Sequence, residues 1–276
     1  MEATAVIGVF DSGYGGLTIF HELTKTFPEY SFTYLGDNAR APYGDKTVEE
    51  ITEYTRQGVE ELFNRGCVLV ILGCNTASAV ALRTLQQTWL PKHFPDRKLL
   101  GIVVPTIEQI TGEEAGSYVG VLATQRTIDS GAYEHEIQKR NPNITVFQTA
   151  CNNLAGAIEQ KGAKNSEVHE EAKACVAALL EKSASHTLSG VLLGCTHYEL
   201  IADTIASALP AGTPLFHQPT IVARSLQEYL TRHADIQSRI TKEGARTYLT
   251  TGNAEEVTRH SQEFLGEAVT FGSAQI

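Results

Sequence analysis

The chain has 276 residues, 42% of them hydrophobic and 20% charged, with a formal net charge of -10. That length holds one large domain or two modest ones, with ample apolar residue for a core. The interspersed, acidic charge argues against nucleic acid as a partner, because phosphate binding wants a basic face. An anionic small substrate stays compatible, since a local site can be positive inside an acidic protein.

No apolar run reaches the roughly 18 residues of a membrane helix, so no membrane partner is expected. Met1-Glu2-Ala3-Thr4 lacks a basic region followed by an apolar stretch, so no signal peptide is expected either. The five cysteines, Cys67, Cys74, Cys151, Cys175 and Cys195, are odd in number and widely spaced. Reduced thiols of a cytoplasmic protein are therefore the expectation, and without a Cys-x-x-Cys pair a structural metal site has no support.

Short apolar runs alternate with longer amphipathic ones along the chain. Ala5–Phe10 reads as a buried strand, followed by the turn Gly13-Tyr14-Gly15-Gly16 and a helix over Leu17–Thr26 that Pro28 stops. Ser31–Gly36 is a second strand. Thr47 and Glu50 form a capping box that opens a helix with an apolar stripe of Ile51, Tyr54, Val59 and Leu62, closed by Gly66. Cys67–Leu72 is a third strand, with a helix from about Thr76. In the second half, Tyr118–Ala123 is a strand, Ser130–Arg140 a helix, Glu167–Ser183 a long helix and Gly190–Leu193 a strand, with a helix from about Tyr198. Arg246–Thr250 and Ala268–Phe271 read as strands around a helix at Ala254–Leu265. Strands alternating with helices imply an α/β fold with mainly parallel sheets.

Val70-Ile71-Leu72-Gly73-Cys74-Asn75-Thr76 echoes Val191-Leu192-Leu193-Gly194-Cys195-Thr196-His197. Each is an apolar strand, then Gly-Cys, then small polar residues, then a helix. The echo suggests two related α/β halves, each presenting one cysteine beyond a strand's carboxyl end, where open sheets bind ligands. A helix start also offers amides and a dipole that favour a thiolate. A single cysteine after an apolar strand is by default a small buried hydrophobe. Two in matching polar contexts point to chemistry, whereas Cys67, Cys151 and Cys175 read as packing residues. Asp11-Ser12-Gly13 ends the first strand, where Asp11 could cap a helix, orient an amine or assist a neighbouring base. His197, two residues from Cys195, could hold a proton for it or stabilise its thiolate.

Val9-Phe10-Asp11-Ser12-Gly13-Tyr14-Gly15-Gly16-Leu17, Ala41-Pro42-Tyr43-Gly44, Gly73-Cys74-Asn75-Thr76-Ala77-Ser78-Ala79 and Gly194-Cys195-Thr196-His197-Tyr198 together resemble the motifs of glutamate racemases, in order and spacing. Ala123-Thr124 with Thr127, Ser130 and Tyr133 extends the resemblance, as do Tyr248–Gly252 and Phe264-Leu265-Gly266. The resemblance implies two pseudo-symmetric α/β domains with the active site in the cleft between them. It also implies racemisation of L- and D-glutamate without pyridoxal phosphate, metal or nucleotide. Cys74 would be the base toward D-glutamate, assisted by Asp11, and Cys195 the base toward L-glutamate, assisted by His197. Ser12, Tyr43, Gly44, Asn75, Thr76, Thr127 and Thr196 would hold the substrate, along with Asp11 and His197. D-Glutamate would feed peptidoglycan synthesis, and a homodimer is expected. The first domain is placed at residues 1–103 plus 219–276 and the second at 104–218.

Some positions depart from the family pattern. Glu199 stands where proline is usual, Gly73 where alanine is common, and His217-Gln218-Pro219 where an Asp-Ser pair is more usual. Cys151–Glu159 replaces a more apolar segment but keeps Glu159, which lies near the catalytic histidine in the family. There is no long N-terminal extension of the kind found in members activated by a cell-wall precursor, so activity without that activator is expected. An aspartate racemase would share the acid–base pair in a shorter pocket. A binding protein on the same fold, such as a gyrase-binding homologue, or a thiol-disulfide oxidoreductase would use the cysteines differently.

Overall fold

The computed structural model describes residues 5–111, 118–184 and 186–276. The described strands are β1 (Val6–Asp11), β2 (Phe32–Gly36), β3 (Cys67–Leu72), β4 (Lys98–Gly101), β5 (Tyr118–Ala123), β6 (Thr145–Ala150), β7 (Gly190–Gly194), β8 (Leu215–Phe216), β9 (Arg246–Thr250) and β10 (Gly272–Ser273). They form two sheets, one ordered β10-β9-β2-β1-β3-β4 and the other β6-β5-β7-β8. Every pairing between them is parallel. Helices cover both faces, which is why the central strands are buried along almost their whole length rather than alternating. The protein is an α/β structure built on two parallel sheets.

The chain makes the inner strands of the first sheet, crosses to the second sheet after β4, and returns after β8 to add β9 and β10 beside β2. Register aligns the carboxyl ends. Asp11 pairs with Gly36 and Phe10 with Leu72, so Ser12 and Cys74 emerge from the same edge. In the second sheet Ala123 pairs with Gly194, which brings Thr124 beside Cys195.

The capping box forms as expected. Thr47 Oγ1 accepts from the Glu50 amide at 3.2 Å, and the Glu50 carboxylate accepts from the Thr47 amide at 2.8 Å. The helix it opens, Val48–Asn64, lies so near β1 that a Cβ at Gly58 would stand 2.1 Å from the Phe10 ring. Three expectations are corrected. The helix placed at Ser130–Arg140 is two, Gln125–Asp129 and Ala132–Arg140, because Gly131 takes a left-handed φ of 65°. The strand placed at Ala268–Phe271 pairs instead at Gly272–Ser273, while Phe271 packs its ring against Tyr34 and Tyr248. The helix after Cys195 opens as a 3-10 turn over Thr196–Ile201 before the α-helix Ala202–Ala208. No described helix is long and apolar enough to cross a membrane.

Candidate active site

One narrow cavity of about 30 Å³ between the carboxyl edges of the two sheets is lined by Ser12, Cys74, Asn75 and Thr76 from the first sheet's side and by Thr124, Cys195, Thr196 and His197 from the second. Tyr43, Gly44 and Glu159 complete the wall. A wider opening continues from it past Gly44, Thr124, Ala155 and Gly156.

The turn after β1 brings the two sides together. Gly15 lies so close to the second sheet's residues that a Cβ there would come within 2.3 Å of Thr196 Oγ1 and 2.5 Å of His197 Nδ1. At Gly16 a Cβ would strike Asp11 at 2.4 Å. Both glycines are thus required by close approach rather than by an unusual φ.

Cys74 caps the helix Asn75–Val80, and the Ala77 amide donates to its Sγ at 3.4 Å. Ser12 Oγ lies 3.4 Å from the same sulfur. The helix start was expected to favour a thiolate, yet burial dominates and pushes the Cys74 thiol up to about 12. The nearby Asp11 charge acts in the same direction, against the smaller effects of Ser12 and Ala77. Asp11 is buried, and its Oδ1 accepts from the Gly13 amide at 2.8 Å. Its Oδ2 is buried and meets no side-chain donor among the described residues. Burial raises the Asp11 carboxyl above its ordinary value, while the charge of His197 and the amides of Gly13 and Gly16 oppose that rise.

The second thiol is differently served. Cys195 Sγ stands 3.6 Å from His197 Nδ1, and His197 Nε2 lies 2.7 Å from Glu159 Oε1. Burial alone would lower the imidazole. Its bonds to Cys195 and Glu159 outweigh that and hold it well above its usual value. Burial likewise raises Glu159, but the bond to His197 wins and the carboxyl ends below its ordinary value. The arrangement favours an imidazolium held between a carboxylate and a sulfur, one that stabilises negative charge on Cys195.

The hydroxyls of Thr76, Thr124 and Thr127 form a triangle, with separations of 3.1, 3.1 and 2.9 Å, that stitches the helix after Cys74 to the helix after β5. Thr127 stands behind the cavity wall and Thr124 faces it. Tyr43 lines the wall, but its hydroxyl donates to Asp37 Oδ2 at 2.5 Å. Asp37 also takes Arg40 Nε at 2.6 Å and the Thr251 hydroxyl at 2.7 Å, and Arg40 lies over the Tyr54 ring. Asp37 is a buried organiser that no sequence signal singled out. Cys67 and Cys175 lie away from the cavity, and Cys151 lines only the outer opening.

Two thiols face one narrow cavity from opposite sheets, each with its own acid–base neighbour. Such a pair defines a class of protein able to move protons at a carbon from two sides. The Asp/Glu/hydantoin racemase family model matches residues 18–226. A glutamate racemase of Phenylobacterium zucineum is 44% identical over 285 positions, covering 97% of this chain and 99% of that protein. The crystal structure of glutamate racemase isoform RacE1 from Bacillus anthracis superposes with a TM-score of 0.88 at 26% identity, covering 100% of this chain and 99% of that one. The glutamate racemase of Francisella tularensis, solved with D-glutamate, gives 0.85 at 28% identity, with 99% and 98% covered. The chain belongs to the glutamate racemase family, a group of amino-acid racemases within the Asp/Glu/hydantoin racemases.

Proposed function

We propose that the protein interconverts L- and D-glutamate by a two-thiol, cofactor-independent proton transfer. The observation that carries this reading is the shared cavity, which Cys74 and Cys195 enter from different sheets. Toward L-glutamate, the Cys195 thiolate takes the α-proton, and its developing S–H is balanced by His197. The Cys74 thiol then gives its proton to the opposite face of the planar carbanion. Toward D-glutamate the roles reverse, with Asp11 supporting Cys74 as base. The raised Cys74 thiol suits that residue to serve as the acid, and the imidazole beside Cys195 suits that sulfur to serve as the base. Because both thiols face one cavity, the pH profile belongs to both together.

An α-proton is only weakly acidic, so the site has to stabilise the carbanion's charge. Ser12, Asn75, Thr76 and Thr196, with backbone amides at the helix starts, supply donors for the substrate carboxylates, and their side-chain oxygens supply acceptors for its amino group. Tyr43 and Gly44 shape the wall, and Thr127 holds Thr76 and Thr124 in place. The first domain of this reading comprises residues 1–103 plus 219–276, and the second 104–218. D-Glutamate would be delivered to peptidoglycan synthesis by a homodimer in the cytoplasm.

Circular dichroism of L- and of D-glutamate with the purified protein, without added pyridoxal phosphate, tests the proposal alongside Cys74→Ser and Cys195→Ser. Decay of both enantiomers to a racemate, crippled in each variant, is the expected result. Turnover of aspartate with glutamate untouched would move the substrate and leave the mechanism. Turnover of neither would favour a binding role.

A further inference from the structure

The departures at Glu199, His217 and Gln218 meet in space. Gln218 is the first residue of the helix Gln218–Arg232, which carries the chain back toward the first sheet, and it is fully buried. Its side-chain amide pairs face to face with that of Asn75. Asn75 Nδ2 donates to Gln218 Oε1 at 2.7 Å, and Gln218 Nε2 donates to Asn75 Oδ1 at 3.0 Å. Gln218 Nε2 also reaches Thr106 Oγ1 at 3.1 Å, on the helix that carries the chain out after β4. A third acceptor, the Tyr133 hydroxyl at 3.2 Å, is more than two protons can serve at once, so that contact is the weakest. Tyr133 in turn donates its hydroxyl proton to Asn75 Oδ1.

The backbone of Gln218 faces the other way. Its N–H is one of the free donors of a helix start, and Glu199 Oε1 accepts it at 3.0 Å. Glu199 Oε2 meets His217 Nδ1 at 2.8 Å. Glu199 belongs to the turn Thr196–Ile201 that follows Cys195, and Asn75 directly follows Cys74. One buried residue thus bonds the segment behind each thiol, at the place where both crossovers between the sheets meet.

We propose that Gln218 is a positioning residue that sets the spacing of the two thiols across the cavity, gripping Asn75 with its side chain and the Cys195 turn through Glu199. The proposal rests on the two-thiol reading above. It concerns geometry and not acid–base strength, since the Gln218 amide does not ionise at working pH. With the spacing fixed, the α C–H bond breaks onto one sulfur and the other sulfur's proton is delivered before the first can return. With the bridge cut, the carbanion waits, the proton on the first sulfur has time to exchange with solvent, and return of a solvent-derived proton from that sulfur competes.

Racemisation in deuterium oxide separates these cases. In the wild type, deuterium enters the product enantiomer and the recovered starting enantiomer keeps protium. Gln218→Leu and Glu199→Leu should each lower kcat/KM, by roughly tenfold to a hundredfold for misplaced acid–base groups. Each should also introduce deuterium into recovered starting material. The double variant should lose little more than the worse single one, because both cut the same bridge. Glu199→Leu leaves the buried amide cluster intact and decides the matter alone if Gln218→Leu does not fold. Wild-type kcat/KM in Glu199→Leu, or a loss with protium fully retained in recovered substrate, would overturn the proposal. Wild-type protein that fails to racemise, or cysteine variants that keep full activity, would overturn the two-thiol reading instead.

Discussion

Replacing Glu159 by glutamine removes a charge and almost no volume. The amide oxygen still accepts from His197 Nε2, so only the ionic part of a 2.7 Å contact is lost. Bonds to charged groups contribute about 1.5–3 kcal/mol. Glu159 is 19% exposed on its side chain and His197 8%, so water screens the pair only a little and the lower half of that range applies. A loss of about 1.5–2 kcal/mol corresponds to roughly a 10- to 30-fold fall in kcat/KM, and the imidazole moves downward. The two enantiomers have equal free energy, so kcat/KM has to fall equally in both directions. Any asymmetry appears in kcat and KM separately, with kcat from L-glutamate the more affected. The sign with pH follows from the raised imidazole of His197. Its contribution is fully present below the unfolded histidine value and is lost as pH rises through the folded value. The variant should therefore lose activity at lower pH than the wild type. Circular-dichroism progress curves from pH 6 to 10 in both directions provide the assay. A Glu159→Gln protein with wild-type kcat/KM and an unmoved alkaline limb would refute the argument.

Other perturbations follow from the same geometry. Asp11→Asn should raise thermal stability at neutral pH while impairing turnover. The folded carboxyl titrates above its unfolded value, so ionisation costs stability above that range and nothing below it. Melting curves at pH 4 and pH 8 check the sign, with a gain expected only at the higher pH and of about 2–4 °C per kcal/mol. Gly15→Ala should cut kcat at least about tenfold, because its Cβ cannot fit against Thr196 and His197 without parting the sheets. Retained far-ultraviolet dichroism with lost racemisation is the expected pattern. Thr47→Ala, far from the cavity, should cost about 1 kcal/mol through its capping box and leave kcat unchanged, read as a lower melting temperature with normal progress curves.

Strands such as β3 and β5 were legible because their apolar runs are bounded by glycine or polar residues, and their ends fall where the sequence places them. The helix Ala254–Leu265 was equally plain, having an Asn cap and a terminal glycine. Lys98–Gly101 and Leu215–Phe216 gave no signal, since four and two residues are too few for any period to show. Thr145–Ala150 lies at a sheet edge with mixed burial, so neither alternation nor a continuous apolar run marks it. In the site, the Gly-Cys echo brought Cys74 and Cys195 to one cavity. Asp37 escaped, and Gln218 stood out only as a departure from the family pattern, because their partners lie far along the chain. Asp37 meets Thr251, and Gln218 meets Asn75, Thr106 and Glu199. A lone polar residue in sequence carries no mark of the buried network that it closes.

The position of β9 has a consequence for synthesis on the ribosome. Gly36 pairs with Thr250, so β2 waits for a partner roughly 200 residues downstream. The second sheet draws on an unbroken stretch from Tyr118 to Phe216 and can close while the chain is still emerging. The first sheet cannot. At roughly 5–20 residues per second, a nascent chain shows an open, largely apolar β2 edge for roughly 10–40 s. That interval, rather than the finished molecule, is where this sequence is most exposed to aggregation and most dependent on chaperones.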